Sequence, residues 1–267
     1  MINKVIHYCW FGGQPLDSRG KKCLESWKKY FPNYEIIQWN ENNFDVSRLD
    51  FMSQAYKDKK WAFVSDVARL LIVYENGGLY FDTDVEVIQS YEDILNDDTE
   101  AFFGLECDGH VNSGLGFGAV KGHPFLKKLI REYETLDYSQ YKDRLGDVAC
   151  PVLTTNLLIR EGFIQENKKQ KIGNITFYPS IYFAPIDYRT GKMSQSDLTH
   201  SIHWYNASWK NDNERKEQEN LRKIIAICGT NKGEKIYGVI HCIKEEGFWK
   251  YLLKRFNKYV LKGKNNV

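Results

Sequence analysis

Two aspartates one residue apart, Asp82 and Asp84, follow a pair of glycines in the stretch GGLYFDTDVEV at residues 77–87. In an extended chain Tyr80, Asp82, Asp84 and Glu86 share one face, and Leu79, Phe81, Thr83, Val85 and Val87 share the other. Two carboxylates on one face repel, so they are either solvated at a sheet edge or neutralised by a cation. Oxygen ligands of this kind suit Mg²⁺ or Mn²⁺, which bind through one or two carboxylates together with waters and phosphates. A second pair precedes them: in SDVAR, Asp66 and Arg69 stand at i and i+3 on one helical face, with Ala62 and Val73 on the same stripe. An ion pair among apolar positions reads equally as a helix-to-sheet bridge or as a ligand-holding pair.

Hydrophobic periodicity and punctuation supply the elements that must position these groups. A strand is expected over 3–9, closed by Gly12-Gly13 and Pro15, then a helix over 17–30, a strand over 34–39, and helices over 50–58 and 61–75. The last stops at Asn76-Gly77, where glycine suits a helix C-terminus. GGLYFDTDVEV then reads as the next strand, followed by strands at 101–105 and 115–120, helices at 124–135 and 153–161, and a β-rich segment at 174–184. Pro179 argues for a strand edge there. Alternating strands and helices predict an α/β fold with a parallel sheet, whose ligands bind at the carboxyl ends of its strands. The polar run 211–220 reads as a solvated helix or loop. Residues 229–235 (GTNKGEK) lack phosphate-loop spacing and read as a polar hairpin turn.

With 267 residues, 42% of them hydrophobic, the chain is long enough to bury one large core. A net charge of +2 gives no whole-chain case for nucleic-acid binding, and no nucleic-acid partner is expected. The six cysteines form no C-x-x-C pair and no zinc-type spacing, so reduced thiols are expected. MINKVIHYCWFGG has no secretory-signal pattern, and no run of 18 apolar residues follows, so the expected location is cytoplasmic.

The segment AFVSDVARLLIVYENGGLYFDTDVE, residues 62–86, resembles the core signature of glycosyltransferase family 32, the Asp-x-Asp sugar transferases that include bacterial capsule enzymes and yeast mannosyltransferases. The same pattern occurs in glucosylating clostridial toxins. IHYCWFGG at 6–13 is similar to the family's N-terminal strand and loop, and IHWYNASW at 202–209 to its C-terminal motif. The resemblance implies a GT-A type, Rossmann-like fold with a mostly parallel central sheet flanked by helices. It further implies a UDP- or GDP-sugar donor, a saccharide acceptor, Mn²⁺ or Mg²⁺ as cofactor, and retention of anomeric configuration.

Position by position, the resemblance implies that Trp10 stacks on the base and that Asp66 and Arg69 hold sugar hydroxyls and the phosphate region. Tyr80 shapes the same pocket; Asp84 is the direct metal ligand; Asp82 contacts sugar or a metal-bound water. Ser208 offers an oxygen to the metal, and the Trp209 indole donates to the departing phosphate. His203 completes the metal shell, with Asn206 as an alternative donor, and Asn112 in HVNSG reaches the donor sugar. Read without the resemblance, Trp10 is a core aromatic, His203 a structural histidine and Asn112 an ordinary turn residue. Many family members have His-His before Ser-Trp, where this chain has His203-Trp204.

Residues 1–240 are expected to form the transferase domain and 241–267 a basic amphipathic helix. From Lys244 onward seven lysines and arginines stand against two glutamates. Phe248, Trp249, Leu252, Leu253, Phe256, Tyr259 and Val260 share a face, which suits either an anionic membrane surface or packing on the domain. A lipid-linked oligosaccharide acceptor in capsule or O-antigen assembly favours peripheral membrane contact. Two competing readings are an effector transferase that modifies a protein and a non-catalytic carbohydrate-binding protein.

Overall fold

A computed structural model describes residues 1–96, 98–206 and 212–248. The chain divides into two compact units: residues 1–187 with 193–206, and residues 188–192 with 212–248.

The first unit alternates strand and helix as β1 (Val5–Cys9), α1 (Ser18–Tyr30), β2 (Glu35–Trp39), α2 (Asp50–Lys57), α3 (Trp61–Asn76) and β3 (Gly78–Tyr80). It continues through β4 (Val85–Val87), β5 (Ala101–Leu105), β6 (Val111–Ala119), α4 (Pro124–Glu134), the single-turn α5 (Tyr138–Tyr141) and α6 (Cys150–Ile159). The short strands β7 (Gln170–Ile172), β8 (Ile175–Tyr178) and β9 (Ser201–His203) complete it. Seven strands form the main sheet in the order β2-β1-β3-β6-β5-β8-β7. β2, β1, β3, β5 and β8 run one way, while β6 and β7 run against them, so the sheet is mixed but mostly parallel in strand direction.

Both faces of this sheet are covered, which is why its strands read as apolar runs. Tyr80, Phe103, Phe117 and Phe177 pack with α2, α3, α4 and α6 on one side. Ile6, Leu79, Phe81 and Phe102 pack on the other, against Cys23 and Trp27 of α1 and the ring of Tyr91. The Trp27 indole is fully buried and donates to the Val85 carbonyl at 2.7 Å, tying α1 to β4. Asp17 caps α1 by accepting from the Gly20 amide at 2.7 Å.

α3 carries apolar residues around most of its circumference because it is sandwiched, with Val64, Val67, Ala68, Leu70, Ile72 and Val73 all buried. It ends at Gly77 (φ +67°), and Gly78 (φ +106°) opens β3. A Cβ on Gly77 would meet the Lys121 backbone nitrogen at 2.8 Å, and one on Gly78 would meet Val5 at 2.5 Å. The glycine pair thus serves the direct reversal from helix into a strand pressed against β1.

Most expected elements are present, with local corrections. Residues 77–87 are not one strand: β3 ends at Tyr80, Phe81 to Asp84 form a turn closed by Val85 N donating to Asp82 O at 3.0 Å, and β4 leaves the main sheet to pair with β9. Two carboxylates do not belong in a ladder buried on both faces, and the turn lifts them out of it. The expected strand at 174–184 stops before Pro179 and gives way to a 3₁₀ turn at Ser180–Tyr182. β9, the short β7 and the single turn α5 carry too few residues to show a period.

The second unit contains α7 (Asp212–Cys228) and α8 (Thr230–Glu246), separated by Gly229 at φ +77°. The expected hairpin at 229–235 is instead this one-residue break and the first turns of α8. Most of the expected amphipathic segment at 241–267 lies outside the described residues, as do Ser208 and Trp209.

Candidate active site

The site lies where β1 and β3 end side by side. Asp82 and Asp84 come from the turn after β3, and His203 from β9, which pairs with β4 so that His203 stands opposite Val85. One side-chain ligand atom from each of Asp82, Asp84 and His203 lies within 4.8 Å of the others. His203 Nε2 sits 3.1 Å from Asp84 Oδ1, and the Asn206 backbone amide donates to Asp84 Oδ2 at 2.7 Å. His203 Nδ1 is buried without a hydrogen-bond partner. Two carboxylates with an imidazole whose second nitrogen is unclaimed form a donor set that fits a divalent cation.

Arg69 backs this cluster from α3. Its side chain is only 4% exposed, and Nη2 lies 3.2 Å from Asp66 Oδ1 and 3.0 Å from Asp82 Oδ1. Nε donates to the Ser65 carbonyl at 3.0 Å, and the guanidinium lies 4.9 Å from the centroid of the Tyr80 ring. Tyr80 in turn donates from its hydroxyl to Asp82 Oδ1 at 3.1 Å. Asp66 accepts the Cys150 amide at the start of α6 at 3.1 Å, where a helix N-terminus favours a carboxylate. The pair anticipated from SDVAR is thus both a structural bridge and part of the site, since one arginine holds two carboxylates from different elements.

Charge states follow from this geometry. Burial works against ionisation of Asp84, yet the His203 ring and the Asn206 amide outweigh it and bring the carboxyl down to about 2. Burial equally disfavours a charged His203, but Asp84 and the further charges of Asp82 and Glu106 raise it to about 9. Asp82 and Asp66 move the other way: burial pushes both up, against the pull of Arg69.

Asn112 reaches the site through an irregularity in β6. Pairing with β5 jumps from Phe103↔Phe117 to Gly104↔Asn112, so residues 113–116 are looped out of the ladder. The loop brings the Gly114 carbonyl to the Asp82 amide (3.3 Å), and the Gly114 amide donates to Asn112 Oδ1 at 2.7 Å. Any Cβ on Gly114 would collide with the Asp82 carboxylate and would lie 3.1 Å from Arg69 Nη1. Trp10 follows β1 directly, half-buried against the α1-side core, its indole donating to the Gln14 carbonyl. The Asn206 side chain donates to Asp17 Oδ2 at 2.9 Å, so its amide nitrogen faces α1.

Sequence reasoning missed Glu106 and Tyr205. Glu106 ends the apolar run AFFGLE of β5 and is 6% exposed. It accepts from Asn112 Nδ2 at 2.7 Å and from the Tyr205 hydroxyl. An acidic residue closing an apolar strand is the same signal that Asp82 gives after β3, and it was available in the sequence.

Residues 17–101 match the family described as "Glycosyltransferase sugar-binding region containing DXD motif". The human "Alpha-1,4-N-acetylglucosaminyltransferase" is 28% identical over 139 residues, covering 51% of this chain and 38% of that protein. "Inositol phosphoceramide mannosyltransferase 3" of Schizosaccharomyces pombe is 27% identical over 144 residues, 49% of this chain and 36% of that one. The chain therefore spans less than half the length of these curated relatives. The solved structure titled "PaToxG Glycosyltransferase" superposes with a TM-score of 0.50 at 19% identity, covering 60% of this chain and 70% of that one, which is a likeness of fold. The match to the glycosyltransferase sugar-binding region covers residues 17–101, and Asp82-Thr83-Asp84, inside that segment, has the D-x-D pattern its description names.

Proposed function

We propose that this protein is a metal-dependent glycosyltransferase that moves a sugar from a UDP- or GDP-sugar to a saccharide acceptor with retention of configuration. The observation that carries the reading is the convergence of Asp82, Asp84 and His203 beside Arg69 at the end of β3. Asp84, His203 and Asp82 hold the cation, with Ser208 and Asn206 as further donors. A mixed carboxylate and imidazole set suits Mn²⁺ better than Mg²⁺, whose preferred shell is all oxygen. Bound there, the ion would neutralise the diphosphate on which charge develops as the glycosidic bond breaks.

The chain's own residues do the rest. Trp10 offers a flat surface to the base, and the Trp209 N–H donates to the departing phosphate. Arg69 pairs with Asp66 and Asp82 and holds them in place, so that their remaining lone pairs accept sugar hydroxyls. Tyr80 fixes Asp82 from below, and Asn112 bounds the sugar pocket on the β6 side. The acceptor hydroxyl attacks from the face the diphosphate leaves, and no protein nucleophile is assigned. A lipid-linked oligosaccharide of capsule or O-antigen type, at the cytoplasmic face of a membrane, is the acceptor that suits the basic segment after Lys244. Among the described residues no helix is long and apolar enough to cross a membrane.

The test is calorimetric titration of Mn²⁺, then UDP or GDP, into the wild type and Asp84→Asn. The wild type binds the ion, and binds nucleotide more tightly with it; Asp84→Asn weakens ion binding at least tenfold. Equal Mn²⁺ affinity in the two proteins would overturn the metal assignment.

A further inference from the structure

Glu106 is a buried carboxylate that nothing in the proposed reaction uses, and both of its oxygens are engaged. Each engagement starts a short path of hydrogen bonds and covalent links, and each path ends on a different aspartate of the DXD motif. On one side Glu106 Oε2 accepts the Tyr205 hydroxyl, and the residue after Tyr205 gives its backbone N–H to Asp84 Oδ2 at 2.7 Å. On the other, Glu106 Oε1 accepts from Asn112 Nδ2 at 2.7 Å, Asn112 Oδ1 accepts from the Gly114 amide at 2.7 Å, and the Gly114 carbonyl accepts the Asp82 amide at 3.3 Å.

The first path passes through a backbone that needs holding. Tyr205 has φ +51°, the left-handed region, which for a bulky non-glycine residue costs on the order of 1 kcal/mol or more and persists only when its surroundings enforce it. That conformation directs the Asn206 amide at Asp84. Among the contacts that hold the side chain are the hydroxyl on Glu106 and the ring packed at a steep angle to His203 with centroids 4.2 Å apart. The second path holds the looped-out residues of β6, where Gly114 leaves no room for movement toward Asp82.

We propose that Glu106 is a positioning residue of this site: it clamps Tyr205 and Asn112, and thereby fixes the Asn206 amide on Asp84 and the β6 loop on Asp82. The proposal rests on the reading of Asp82 and Asp84 as the motif that meets cation and donor. Glu106 itself touches neither aspartate through a direct hydrogen bond in the structure, and its role is to set their orientation.

The test compares the full chain with Glu106→Leu, which removes the clamp, and Tyr205→Phe, which removes one hydroxyl and leaves the ring. Two readouts are taken on each: exchange of the Asn206 amide by NMR without metal, and Mn²⁺ affinity. In both variants the Asn206 amide exchanges on the order of tenfold faster, Mn²⁺ binds several-fold more weakly, and the double variant is no worse than the weaker single. Unchanged Asn206 exchange in Tyr205→Phe would overturn the positioning role, whether or not Glu106→Leu folds. Absence of Mn²⁺ binding by the wild type would instead remove the metal assignment under the proposed function, and the exchange measurement would still decide the role of Glu106.

Discussion

Asp84 and His203 form an ion pair at 3.1 Å, and their shifts make a signed pH prediction for the metal-free protein. Asp84 is held down to about 2, so its contribution is present above the usual carboxylate range and is lost as pH falls toward 2. His203 is raised to about 9, so its contribution is full below the ordinary imidazole value and is lost as pH rises through 9. The pair therefore stabilises the fold most between about pH 4 and 6.5, from the ordinary values of the two groups. Thermal melts of wild type and His203→Gln without metal should differ most in that window and converge toward pH 9. A constant difference from pH 5 to 9 would refute the coupling. At this scale the sequence was informative where residue type and spacing carry the chemistry: Asp66, Arg69 and Asp82, singled out from their spacing, lie together with both aspartates within ion-pair distance of the arginine, and Asp84 stands beside Asp82. The engagement of Arg69 by two carboxylates was not legible, because it depends on a contact between α3 and the turn after β3.

At the scale of elements, the turn after β3 and the looped-out segment of β6 do what a regular strand cannot. Period-two alternation put Asp82 and Asp84 on one face of a continuous strand; they converge because the strand breaks and β4 pairs with β9. Breaks of this kind leave little trace in sequence, since Phe81 and Val85 on either side look equally strand-like. The helices were more legible: α1, α3 and α4 carry caps, stripes or stops that act locally. Gly114→Ala tests the element directly. The added methyl would press on the side chains of Asp82, Asn112 and Arg69, so activity should fall at least tenfold while the melting temperature moves by a few degrees, about 1 kcal/mol for a chain of this size. Trp27→Ala should show the reverse emphasis, losing about 3–5 kcal/mol from the core between α1 and β4. Denaturant melts of the two variants beside activity measurements separate them.

For the whole molecule, the described site residues all belong to the first unit, and the basic segment that begins at Lys244 belongs to the end of the chain. If that segment docks the protein on an anionic surface, a chain truncated after Glu246 should lose co-sedimentation with phosphatidylglycerol vesicles while still hydrolysing a soluble donor at the wild-type rate. Undiminished co-sedimentation would remove the segment as the anchor. The fold class was legible from strand and helix alternation, because a parallel sheet needs helical crossovers. The antiparallel β6 and β7 were not, since strand direction is decided by connections and not by strand composition. The central claim is that Asp82, Asp84 and His203 hold a divalent cation against a nucleotide-sugar diphosphate. Its most direct test is hydrolysis of a panel of UDP- and GDP-sugars by the full chain, with Mn²⁺ and with chelator, beside Asp84→Asn. Turnover of at least one donor that requires Mn²⁺ and is lost in Asp84→Asn is the expected result; turnover that is equal with chelator, or unchanged in Asp84→Asn, would contradict it.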